Sequence, residues 1–159
     1  MTLTLRRGLV TDQVGSLPVS DRPVARVSPN DTIHDAVESM RGQGTGCAMV
    51  MQDSQLIGVF TERDFISRVV ARGLDTSLPV GQVMTSNPLT LRPASSILEA
   101  IQVMDRGGFN HVPVVNDDGS PRGLLSVKDV VHYLVEYFPA KVYNLPDSPD
   151  VKQPAREGA

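Results

Sequence analysis

Apolar residues along this chain fall on two copies of one pattern. Ile33, Ala36, Val37 and Met40 stand at i, i+3, i+4 and i+7, and Ile97, Ala100, Ile101 and Met104 repeat that spacing 64 positions later. Such a period puts one helix face on a core. Thr32 with Asp35, and Ser96 with Glu99, have the form in which side chains satisfy free amides at a helix start. Glycines at 42, 44 and 46, and at 107 and 108, end these helices. Before each helix lies a short apolar piece, Val24 to Val27 or Leu89 to Leu91, set between prolines as a strand would be. After each helix comes a predicted hairpin. The first joins Cys47–Met51 to Leu56–Phe60 through Gln52–Gln55, and the second joins Val112–Val115 to Gly123–Leu125 through Asn116–Arg122. Closing helices are predicted over 62–72 and 127–138, the latter stopped by Pro139.

The duplication extends to Pro29, Gly44, Val50 and Asp53, which fall on Pro93, Gly108, Val114 and Asp117. After one inserted residue, Gly58, Asp64 and Val70 fall on Gly123, Asp129 and Val135. A period of this length marks a repeat architecture, here an α/β (α+β) fold of two β-α-β-β-α units. The expected organisation is an N-terminal arm over 1–13, repeat 1 over 14–76, repeat 2 over 77–140 and an irregular tail over 141–159, where prolines recur without a period. One unit of roughly 50 residues is near the lower limit for an adequate core, so the two are expected to pack about a pseudo-twofold axis. The cleft between them is the natural ligand site.

Composition narrows the function. With 40% hydrophobic and 21% charged residues the balance is globular, and no apolar run approaches the roughly 18 residues of a membrane span. A net charge of −3, without a basic block, argues against nucleic acid as a partner. The lone cysteine, Cys47, forms no internal disulfide, and with no apolar signal core near Met1 the expected location is the cytoplasm. At 159 residues the two units leave no room for a catalytic domain, so the expected output is to another molecule.

Two motifs stand in register inside the duplicated frame, Gly58-Val-Phe-Thr61-Glu-Arg-Asp64 and Gly123-Leu-Leu-Ser126-Val-Lys-Asp129. A hydroxyl residue where a strand turns into a helix lies beside free amides and the positive end of the helix dipole, which suits a phosphate. A carboxylate three residues on offers only acceptors, matching vicinal hydroxyls at about 1.5–3 kcal/mol per charge-assisted bond. With the preceding Ala-x-x-x-Met helices and the strand His111-Val-Pro-Val-Val115, these residues resemble a tandem pair of cystathionine-β-synthase (CBS) domains, the Bateman module, over about residues 14 to 138.

That resemblance implies a non-catalytic sensor binding AMP, ADP, ATP or a related adenosyl ligand, with Mg²⁺ arriving only with phosphates. It implies that Asp64 and Asp129 accept from ribose hydroxyls and that Thr61 and Ser126 contact phosphate. Backbone near Gly46, Cys47 and Ala48, or near His111, Val112 and Pro113, would face the base, with Asp21 and Arg22, or Ser86 and Asn87, on the lead-in segments. Arg63 and Lys128, one position before those aspartates, neutralise phosphate if their side chains turn inward and are otherwise solvated, and Asn110 and His111 sit where polar groups reach it.

A plainer reading stands beside this one. Thr/Ser-x-x-Asp is also an ordinary capping box, which makes the chain a ligand-free dimerisation or docking scaffold. No nucleophile with base and orienting acid is indicated around His111, and no ligand spacing suggests a metal site. Cys47 and most methionines read as core. The expected assembly is a homodimer that regulates a partner protein.

Overall fold

The computed structural model describes residues 3–19 and 22–136. The tail over 141–159, the last two residues before Pro139, and Asp21 lie outside them. The chain runs through α1 (Leu3–Thr11), a 3-10 turn (Val14–Ser16), β1 (Ala25–Val27), α2 (Ile33–Gln43), β2 (Cys47–Gln52) and β3 (Gln55–Thr61). Next come α3, one turn at Glu62–Asp64 continued by a π-helix at Phe65–Val70, then a 3-10 turn (Val80–Gln82) and β4 (Thr85–Ser86). The second copy completes itself with α4 (Ile97–Gly107), β5 (His111–Val115), β6 (Pro121–Ser126) and α5 (Val127–Glu136). It is a mixed helix and strand fold of two repeats.

The helices form where their pattern puts them. Ile33, Ala36 and Met40 are buried on α2, as are Ile97, Ala100 and Met104 on α4, whereas Val37 and Ile101 at the edge of the stripe are half-buried. Thr32 and Asp35 form the complete capping box, and Ser96 accepts from the Glu99 amide. Both helices stop at a left-handed glycine, Gly44 with φ 64° and Gly108 with φ 63°, a conformation in which a Cβ is costly.

In the first copy β1 runs parallel to β2, which pairs antiparallel with β3. The second copy keeps the hairpin β5–β6, but its counterpart of β1 shrinks to a single parallel bridge between Leu91 and Val114. Both hairpins carry a register shift at the same place, after Val50 and after Val114. The short β4 leads into the second copy yet adds to the first copy's sheet, Val59 opposite Thr85 and Gly58 opposite Ser86.

The two copies are interlaced. The Val14 and Gly15 amides donate to the Ser95 and Pro93 carbonyls of the second copy, each at 2.8 Å, and the Val80 and Gly81 amides donate to Asp31 and Pro29 of the first at 2.8 and 3.0 Å. Apolar burial follows the same exchange. Val80 and Val83 sit in the core of the first copy, and Leu5, Leu9, Val14 and Val19 sit in that of the second. Residues 3–11, where the apolar pattern predicts no element, thus form a helix packed on α4. Two leucines at i, i+4 are too short a run to announce it.

Closing helix α3 is shorter than its pattern predicts and widens into a π-helix before Gly73. It buries Val69 and leaves Ile66 and Val70 exposed.

Candidate functional site

Two cavities open where the copies meet. One, of about 890 Å³, is walled by Ser126, Val127 and Lys128 at the start of α5, by Arg22–Val24 leading into β1, and by Gly44–Gly46 after α2. The other, of about 620 Å³, is walled by Thr61–Asp64, by Thr85, Pro88 and Leu89, and by Gly108–His111 after α4. Each therefore combines the strand-to-helix motif of one copy with the helix-to-strand loop of the other. Gly46, Glu62, Ile66, Asn110 and His111 face both, so the cavities share a wall.

At each strand-to-helix junction the hydroxyl residue and the aspartate close a capping box. The Thr61 amide and hydroxyl donate to Asp64 Oδ2 at 3.0 and 2.8 Å, and the Ser126 amide and hydroxyl donate to Asp129 Oδ2 at 2.7 and 2.8 Å. The aspartate amides return the bond to Thr61 Oγ1 at 3.1 Å and Ser126 Oγ at 3.4 Å. One carboxylate oxygen is thereby committed in each copy, and Oδ1 remains for other work. The first helical amides are also engaged, Glu62 with the Gly46 carbonyl at 3.1 Å and Val127 with that of Asn110 at 3.0 Å. The helix starts accordingly offer an anion fewer amides than the motif alone implies, and the nearby cations Arg63 and Lys128 gain weight.

The two Oδ1 atoms differ. Asp64 Oδ1 lies 3.5 Å from Arg68 Nε, while the Arg68 guanidinium is anchored by the Val83 and Met84 carbonyls at 2.9 and 3.0 Å. Asp64 still lines its cavity. Asp129 Oδ1 instead accepts directly from Arg22, which lies over it, so that Arg22 lines the cavity and Asp129, only 7% exposed, does not. Burial pushes the Asp129 carboxyl up, but the Arg22 bond and the two Ser126 bonds outweigh it and hold the group below its ordinary value. It is ionised at neutral pH.

His111, at the shared wall, is lowered from 6.5 by burial; Glu62 and Asp129 pull the other way, and Arg22 and Lys128 add to the lowering. It is neutral at neutral pH, an imidazole able both to donate and to accept. Cys47, pushed up to about 12 by burial, is an inert thiol.

Of the residues singled out in the sequence, Thr61, Arg63, Asp64 and Pro113 line the smaller cavity, Arg22, Ser126 and Lys128 the larger, and Gly46, Asn110 and His111 both. Cys47, Ala48 and Val112 are buried behind the walls. Ser86 and Asn87 fall between lining residues; Asn87 turns the chain at φ 48° and donates its amide to Ile57. Glu62, Arg68 and Phe109 also belong to the walls. Glu62 was signalled only by breaking the repeat, since Val127 stands at its counterpart position.

Known proteins resemble this chain in sequence and fold. A CBS domain-containing protein of Arabidopsis thaliana is 35% identical over 130 residues, which are 81% of this chain and 23% of that protein; the chain spans about a quarter of the relative's length. The solved CBS-domain protein of Agrobacterium tumefaciens is 30% identical with a TM-score of 0.68, over 77% of this chain and 98% of that one. A CBS domain protein of Pyrobaculum aerophilum, solved in complex with AMP, is 27% identical with a TM-score of 0.65, over 72% and 93%. The family profile of the CBS domain matches twice, at residues 14–71 and 80–136, and the chain belongs to the CBS domain family as a tandem pair.

Proposed function

We propose that this chain is a regulatory module that binds an adenine nucleotide, AMP, ADP or ATP, between its repeats and signals occupancy to a partner protein without catalysing a reaction. The observation that carries this reading is the composite construction of the cavities. Each sets a hydroxyl and a cation from one helix start and backbone from the opposite repeat around one space, with the acceptor carboxylate on the wall of the smaller cavity and beneath Arg22 in the larger, so filling either ties the two repeats together. A ligand shifts an equilibrium only through differential affinity for its states, and a site made from both halves supplies such a difference. The AMP complex of the Pyrobaculum aerophilum relative supports the ligand class. Mg²⁺ enters only with phosphates, and the module works in the cytoplasm as a homodimer. Among the described residues no helix is long and apolar enough to cross a membrane.

Calorimetry and thermal melting with AMP, ADP, ATP, NADH and S-adenosylmethionine test this, together with mass spectrometry of ligand released from fresh protein. Heat and a raised melting temperature for an adenine nucleotide are expected. Silence with every compound overturns the reading.

The completed capping boxes favour a second reading, a docking scaffold whose aspartates only close helix starts. On that reading Asp64→Ala and Asp129→Ala cost about 0.5–2 kcal/mol of stability and change no ligand response.

A further inference from the structure

We propose that Arg22 makes the larger cavity selective for a ribose bearing a phosphate, because its guanidinium covers the carboxylate that a diol must reach. This rests on the nucleotide reading above and names which ligands that cavity rejects. Asp129 Oδ2 is fully used by Ser126, so only Oδ1 is left to accept a hydroxyl, and Oδ1 is the atom Arg22 holds. A diol must therefore displace the guanidinium. A nucleoside offers it nothing in return, so the charge-assisted bond between Arg22 and Asp129 is given up without replacement. A nucleotide offers its phosphate to the released guanidinium, the bidentate match that arginine makes best.

The side chain is free to make this exchange. Arg22 is 47% exposed, and Asp129 is its partner among the described residues. Arg68, beside Asp64 in the other cavity, is pinned by two backbone carbonyls and leaves Asp64 on the wall. The smaller cavity is therefore expected to admit nucleoside and nucleotide alike. Glu62, which also faces the larger cavity, is the competing acceptor for a displaced Arg22. If it takes the guanidinium, adenosine binds as AMP does and the selectivity vanishes.

The test is calorimetric titration of AMP and of adenosine into the full chain carrying Asp64→Asn, which removes the charge of the other cavity's acceptor. Arg22→Ala and Arg22→Met are then added to that background. The methionine keeps an apolar stem, leaves Asp129 Oδ1 without a donor and serves if the alanine variant melts. With Arg22 present, AMP is expected to bind at least about tenfold tighter than adenosine; without it the ratio falls below about threefold because adenosine tightens. A ratio near one with Arg22 present, or one unchanged by both substitutions, overturns the proposal. So does a ratio that collapses because AMP weakens while adenosine stays the same, since Arg22 is then a plain phosphate contact. Failure of every adenosyl compound to bind any variant is distinguishable from these, because it overturns the nucleotide reading itself.

Discussion

The Tyr133 hydroxyl donates to Asp12 Oδ2 at 2.7 Å, joining α5 to the end of α1 across 121 positions of sequence. Tyr133 is buried, and its ring lies in the same core as Leu5 and Leu9. Tyr133→Phe keeps that packing and removes the donor. A hydrogen bond to a charged group contributes about 1.5–3 kcal/mol, so urea denaturation is expected to show a loss of that order. Nucleotide affinity is expected to stay the same, because Tyr133 lines neither cavity.

Interlacing predicts a matched pair of defects. A Cβ on Gly15 would lie 2.9 Å from the Pro93 carbonyl oxygen, and one on Gly81 would lie 2.9 Å from that of Pro29. Both obstacles are backbone atoms, which do not swing aside, so Gly15→Ala and Gly81→Ala are each expected to destabilise by about 1–3 kcal/mol. Gly42→Ala, where a Cβ meets nothing within 4 Å, is the control. It is expected to be neutral or to stabilise by roughly 0.5–1 kcal/mol, as alanine for glycine inside a helix does.

These predictions separate what is legible in the chain from what is not. Ile33, Ala36 and Met40 announce α2 because a local period is visible in a local window, and Thr32 with Asp35 announces its start. The fold class follows from the duplication. Val14 and Val80 do not announce that each is buried against the other copy's helix start, because that contact depends on the twofold packing rather than on any neighbouring residue. The same holds in the site. Thr61 with Asp64, and Ser126 with Asp129, were readable as motifs, whereas the Arg22–Asp129 pair spans 107 positions and exists only once the repeats have closed. The shared position of Glu62 and His111 is likewise a property of the closed pair.

His111 carries a pH signature whose sign follows from its burial. Its folded-state value is depressed below 6.5, so between that value and 6.5 the unfolded chain binds more protons than the native one. Stability then rises with pH through this window and levels off above it. Acidification from neutral pH is expected to lower the denaturation midpoint of the wild type more than that of His111→Asn. Parallel curves for the two proteins would refute the assignment. Asp129 acts in a lower window. Its folded value lies below the ordinary 3.8, so its contribution is fully present above 3.8 and is lost as pH falls through the folded value. Asp129→Asn is expected to flatten the acid limb of the same measurement.

The homodimer is testable on a face that the duplication itself creates. Ile66 and Val70 on α3 are 64% and 60% exposed, and their counterparts Val131 and Val135 on α5 are 47% and 38% exposed. Each pair is spaced i, i+4 and so lies on one side of its helix. Burying a side chain of this size is worth about 1.5–3 kcal/mol, so leaving four in water is costly unless something covers them. The pseudo-twofold relation gives both helices the same apolar face, and a second copy meets that face with an identical one, as an isologous contact requires. Charged groups at its centre oppose such an interface on both sides at once. Val70→Asp combined with Val131→Asp, both outside the cavity walls, is therefore expected to convert a dimer to a monomer in sedimentation equilibrium. The cores stay intact, because neither residue is buried. A wild type that sediments as a monomer at every concentration would remove the dimer from the proposed function and leave the nucleotide sites untouched.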